Sequence, residues 1–174
     1  MDITGRKLFV RALLEEGVDT IFGYPGGMVT DVMDELYMEM LELSSKGYYC
    51  SQILMKIILD LEGKENPDLI RSMGGLIGGL GFNQKICGAL TGGVCILGYF
   101  ASKGEDDEIE DENLSIMIRE LIEWFENEGS DNKGINCGDI LDGDFNNKSK
   151  TCPNLVLNTF EKIVEILNKY GYEL

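Results

Sequence analysis

Apolar residues recur along this 174-residue chain mostly at three- and four-residue intervals, the spacing of helices that bury one face. The clearest run is Ile53, Leu54, Ile57, Ile58 and Leu61, which predicts a largely core helix opening at Tyr48-Tyr49-Cys50 and running through Leu61. Leu114, Met117, Ile118, Leu121, Ile122 and Phe125 predict a second over 113–126, with Trp124 and Phe125 as core aromatics. Leu155, Phe160, Ile163, Val164 and Leu167 predict a third, opened by Thr151-Cys152-Pro153-Asn154 and ended by Gly171. Met40, Leu41 and Leu43 make 38–46 a short helix that Gly47 breaks, and Pro67 is placed to start another after a turn over 63–67.

The N-terminal 37 residues have a different texture. Leu8, Ala12 and Glu15-Glu16 predict an amphipathic helix over 3–16, stopped by Gly17. Thr20-Ile21-Phe22-Gly23-Tyr24 reads as a short strand, and Pro25-Gly26-Gly27 turns into a helix through about Tyr37. The expected fold is therefore mainly α: a compact multi-helix domain over 38–174, preceded by a helix–strand–helix leader over 1–37. That leader is too small to fold by itself.

Glycine interrupts the helical pattern twice. Residues 73–82 hold Gly74, Gly75, Gly78, Gly79 and Gly81, and the apolar stretch 86–98 holds Gly88, Ala89, Gly92 and Gly93. Glycine inside a helix costs roughly 1 kcal/mol relative to alanine, so its use implies close approach of another backbone or of a bound group. Residues 73–82 are expected to form a helix packed very closely against a neighbour, and 83–102 the central helix of this glycine-rich layer. No phosphate loop is present, because the Lys-Ser/Thr ending is missing and the dinucleotide glycine spacing is not met. Residues 105–112 are acidic except at Ile109 and lack the alternation of a calcium loop, so they read as a solvated loop. Residues 129–149 read as a loop with a short turn over 137–141.

Charge and composition narrow the functions. The net charge of −16 excludes nucleic acid and anionic membrane as partners. No apolar run approaches the roughly 20 residues that cross a bilayer, and the N-terminus lacks a signal-peptide pattern, so a cytoplasmic location is expected. The chain has no histidine, which removes Ser-His-Asp and Cys-His catalysis, histidine zinc ligands and histidine-ligated haem. Chemistry is left to thiolates and carboxylates.

Cysteines in a reducing compartment more often bind metal or do redox work than form disulfides. Cys50, Cys87, Cys95, Cys137 and Cys152 share no short spacing, so neither a zinc ribbon nor a bacterial ferredoxin is signalled locally. Placement says more. Cys50 and Cys152 begin helices, where the N-terminal N–H groups favour a thiolate; Cys87 lies among small residues; Cys137 sits in a loop.

Two resemblances add to this. Thr4-Gly5, Val10 to Leu13, Glu15 to Gly27 and Asp34-Glu35-Leu36-Tyr37 resemble the beginning of acetolactate synthase, a family that uses thiamine diphosphate. The similarity stops before that family's cofactor-activating glutamate, so no thiamine diphosphate is expected. Residues 1–37 then represent a fused remnant, an expression leader or a gene-model joint. Lys46-Gly47-Tyr48-Tyr49-Cys50-Ser51-Gln52, Cys87-Gly88-Ala89-Leu90-Thr91-Gly92 with Leu97-Gly98, Cys137-Gly138-Asp139-Ile140-Leu141 and Cys152-Pro153-Asn154-Leu155-Val156 follow in order. Together, from Met38 to about Leu167, they resemble the small redox proteins named for their cysteine pattern, C_GCAxxG_C_C, mostly from anaerobes. A related domain occurs in the split-Soret cytochrome, whose haem-binding parts are absent here, so haem is not implied.

The resemblance implies metal ligation by Cys50, Cys87, Cys137 and Cys152, with Gly88, Ala89, Gly92, Gly78 and Gly79 lining the cofactor, and leaves Cys95 as a buried helical thiol. Ile53 stands where relatives often carry alanine, narrowing the space beside Cys50. The leading expectation is an iron–sulfur cluster, [2Fe–2S] or [4Fe–4S], in a protein that exchanges electrons with a redox protein partner. The alternatives are thiol–disulfide chemistry with Cys50 attacking and Cys87 or Cys152 resolving, and a structural four-cysteine zinc site. A homodimer is compatible with any of them.

Overall fold

The computed structural model describes residues 27–172. Among them the fold is all-α: there is no strand or sheet, only an isolated antiparallel bridge between Ile86 and Asn136. In chain order the helices are α1 (Gly27–Ser45), α2 (Cys50–Leu61), α3 (Pro67–Met73), a distorted single turn α4 (Ile77–Leu80), α5 (Gly88–Ala101), α6 (Leu114–Trp124), the short α7 (Cys137–Ile140) and α8 (Lys148–Lys169). A π-helical turn (Phe125–Gly129) extends α6, and a 3₁₀ turn (Phe145–Asn147) leads into α8. The helix expected over 3–16 and the strand over 20–24 lie outside the described residues.

The periodic segments became helices for the reasons their spacing gives. Pro67 occupies the first turn of α3, and the Asn66 side chain accepts a hydrogen bond from the Leu69 N–H at 3.0 Å as its cap. The apolar faces of α2, α5, α6 and α8 meet in one core that includes Leu54, Ile58, Ile96, Met117, Leu121 and Ile163, all fully shielded from solvent. Phe125 is fully buried, whereas Trp124 is half-buried.

Helix α5 sits at the centre, packed on α2, α6 and α8. Its glycines are what allow this. A Cβ on Gly92 would lie 2.8 Å from the Ser51 Cα of α2. One on Gly93 would lie 2.9 Å from Leu121 and 3.0 Å from Ile163. The Ser51 side chain, itself buried, donates to the Met73 carbonyl at 2.9 Å and ties α3 to the same contact.

Four expectations are corrected. The central helix starts at Gly88, not near Asn83, because 84–87 is committed to pairing with 135–138. The glycine-rich stretch 73–82 is not one packed helix: Gly78, Gly79, Leu80, Gly81 and Phe82 run consecutively at positive φ, a left-handed turn that no extended L-residue helix adopts. The last helix begins three residues early, at Lys148, with Pro153 inside its first turns. Finally, α1 crosses residue 37 without a break, and Leu36 packs against the core, so one helix joins the two expected segments.

The contrast between two α5 glycines is testable. Gly92→Ala forces the α2 and α5 backbones apart and is expected to destabilise by about 1–3 kcal/mol. Gly98→Ala meets nothing within 4 Å and is expected to stabilise by roughly 0.5–1 kcal/mol. Urea unfolding of both variants against the parent protein measures the two signs.

Candidate metal centre

Three local devices bring the pattern cysteines together. Cys50 is the first residue of α2 and Cys87 caps the start of α5. The close approach of these helices presses Gly88 onto Cys50: a Cβ there would lie 2.5 Å from the Cys50 Sγ and 2.8 Å from the Leu76 carbonyl oxygen. Residues 84–87 and 135–138 are then stitched together. The Cys87 N–H donates to the Ile135 carbonyl at 2.8 Å, the Cys137 N–H to the Lys85 carbonyl at 2.7 Å, and the Gly138 N–H to the Gln84 carbonyl at 3.0 Å. This bridge carries Cys137, at the start of α7, to the cysteine end of α5. Cys152 comes from the first turns of α8.

All four sulfur-bearing residues line one cavity of about 270 Å³, whose remaining walls are mostly apolar. Met40, Leu41 and Ser44 of α1 close one side, Tyr48 and Tyr49 another, and Pro153, Leu155 and Val156 of α8 a third. Ile53 also lines it and is almost fully buried. Phe82, held out by the left-handed turn, stacks edge-on against two cavity-lining rings, Tyr49 at 5.2 Å and Phe145 at 5.5 Å. A larger, open groove beside α1, α2 and α3 is lined by mixed charges, among them Glu42, Lys46, Lys56 and Arg71, and holds no sulfur.

Of the residues expected to line a cofactor, Gly78 and Ala89 face this cavity and Gly88 abuts the Cys50 sulfur. Gly92 and Gly79 do not serve it. Gly92 is spent on helix packing against Ser51, and Gly79 lies against the Lys85 backbone, 2.6 Å from where its Cβ would be. Cys95 is corrected as well: it is exposed on α5, away from the cavity, not buried. Sequence reasoning overlooked the α1 wall and Lys148. Lys148 stands four residues before Cys152, a helical spacing that shows only once α8 is known to begin there.

The four thiols are held neutral by their surroundings. Burial pushes the Cys50 thiol up, although the Gly78 N–H favours its thiolate, so the expected activation by the helix start is outweighed by desolvation. Burial pushes the Cys87 thiol up as well, and a thiolate at Cys50 would raise it again; the Ala89 and Leu90 N–H groups oppose this without forming a capping hydrogen bond. Cys137 rises through burial and then Cys50. Cys152 is pushed up to about 12 by burial, with Cys50 and Cys137 adding and Lys148 opposing. Each thiolate thus discourages the others, and all four become charged together only against a strong positive charge placed between them. Among the described residues no group of three or more Cys, Asp or Glu converges closely enough to hold a single metal ion.

These states predict the order of alkylation in the reduced, metal-free protein. A thiol whose pKa is raised stays protonated as pH climbs through the ordinary thiol range, and protonated sulfur does not attack. Iodoacetamide at pH 8 is therefore expected to label exposed Cys95 first and the four cavity thiols slowly, with Cys152 still slow until the pH nears 12. In denaturant all five should react alike; peptide mass spectrometry reads the order.

Residues 48–166 match the family described as "Putative redox-active protein (C_GCAxxG_C_C)". Separately, 35 residues, 20% of the chain, are 46% identical to acetolactate synthase isozyme 3 large subunit of Escherichia coli. Over 34 residues the chain is 47% identical to the acetolactate synthase large subunit of Buchnera aphidicola. It spans only 6% of either relative, as expected from a resemblance confined to the N-terminal residues. No solved structure matches the chain. Because the matched segment covers most of the chain and carries all four cavity cysteines, the protein belongs to the C_GCAxxG_C_C family of redox-active proteins.

Proposed function

We propose that Cys50, Cys87, Cys137 and Cys152 hold an iron–sulfur cluster and that the protein transfers electrons to or from a redox protein partner. One observation carries this reading: the four pattern cysteines, dispersed over about a hundred residues, line a single apolar cavity that excludes the fifth. The donor set suits a cluster. Four thiolates are the usual ligands of [2Fe–2S] and [4Fe–4S] groups, and no histidine competes. An iron–sulfur core would supply one-electron redox chemistry and the positive charge that these buried thiols need in order to ionise. The chain's own part is to orient the four sulfurs, keep water out with Met40, Ile53 and Val156, and present the Gly78 amide to Cys50.

That no three Cys, Asp or Glu side chains converge on a single-ion site among the described residues favours a polynuclear core over zinc. Four thiolates on one zinc ion, at about 2.3 Å each, must converge to within roughly 4 Å of one another. A polynuclear core spaces its ligands more widely. The thiol–disulfide reading draws on the nearness of Cys50 to the start of α5, yet it needs a thiol with a depressed pKa, and burial acts the other way on each candidate.

Anaerobic purification, with reconstitution where needed, is expected to give a brown protein with broad visible absorption and matching iron and acid-labile sulfide. Cys87→Ser and Cys137→Ser should lose most of the iron, while Cys95→Ser should retain it. Absence of both iron and sulfide after reconstitution overturns the reading. A reversible two-electron couple in the iron-free protein would transfer it to thiol–disulfide exchange.

A further inference from the structure

We propose that Lys148 sets the charge balance of the four-cysteine cavity, and with it the reduction potential of the group held there; this rests on the cluster reading above. Lys148 is the one charged residue among the described residues that line the cavity. Its ammonium is held in place by two aromatic faces that also line the cavity, 4.8 Å from the Phe145 ring centroid and 5.5 Å from that of Tyr49. It makes no ion pair among the described residues, and none of the described residues lining the cavity is an Asp or Glu that could neutralise it. Three cations of the neighbouring groove are paired, Lys46 with Glu42, Lys64 with Glu62 and Arg71 with Asp68, while Lys56 rests over the Tyr48 ring at 4.8 Å. Lys148 and Cys152 stand at i and i+4 on α8, so they share a helix face. Lys148 is also the influence that favours the charged form of Cys152.

The consequence follows from charge alone. One electron, supplied by a partner's reduced centre or by an electrode, makes the contents of the cavity one unit more negative, and no proton need accompany it. A cation fixed at the wall stabilises the more negative form and raises the reduction potential. Lys148 is exposed, so salt weakens the effect without abolishing it. Lys148 is thus a positioning residue that acts through charge, not a ligand.

Spectroelectrochemical titration of reconstituted protein tests this, with iron and sulfide measured on every sample. Lys148→Gln should lower the potential and Lys148→Glu should lower it further. Lys148→Arg should stay near the parent value, and added salt should shrink the differences. Ser149→Lys, which adds a cation at another exposed lining position, should raise the potential and serves as the test if the Gln variant fails to load. Fully loaded variants with unchanged potentials overturn the role of Lys148 and leave the cluster reading standing. A parent protein that takes up neither iron nor sulfide overturns both.

Discussion

The contact on which the structure depends is that of α5 with α2, where Gly92 of one helix lies against the Ser51 backbone of the other. Side chains larger than hydrogen at Gly88 and Gly92 would drive the two helices apart by roughly the width of a methyl group or more. The separation would take Cys50 away from Cys87, since each sits at the first turn of one partner. Packing and chemistry are therefore set by the same absent atoms. Gly93 extends the logic to the opposite side, where Leu121 and Ile163 fill the space a side chain would have taken. The core forms around a backbone in place of a large residue, which is why α5 can touch three helices at once.

The second organising force is desolvation. Four sulfurs face a cavity whose walls offer few polar groups, and each would be discouraged from ionising by burial and by its neighbours. The fold is stable toward this because thiols, unlike carboxylates, tolerate apolar surroundings as small neutral groups. None of the described residues that line the cavity is an Asp or Glu, although the chain has 31 of them. Acidity is a property of the outer surface, not of the site.

How much of this could be read from the chain alone depended on the kind of information involved. The helices of Ile53–Leu61, Leu114–Phe125 and Leu155–Leu167 were legible because burial on one face imposes a period on the sequence. The grouping of four cysteines was legible from their ordered motifs, and Cys95 could be set apart from them, though its exposure could not be seen. The Ile86–Asn136 bridge was hidden, because pairing between residues fifty apart leaves no local periodicity. The left-handed turn was hidden for a related reason. Glycine signals freedom without saying how it is used, and Leu80 and Phe82 join the turn at positive φ with nothing in their side chains to announce it. Lys148 went unseen because the start of α8 was placed three residues late, behind Pro153.

Helix α1 spans two parts of the chain. Its 19 residues form a rod about 28 Å long. One end begins at Gly27, inside the stretch that resembles acetolactate synthase; the other places Met40, Leu41 and Ser44 on the cavity wall. That wall lies just before the 48–166 segment that matches the family. Residues 40, 41 and 44 stand near the C-terminal end of this rod, so the cavity wall and the stretch that resembles acetolactate synthase are parts of one continuous helix.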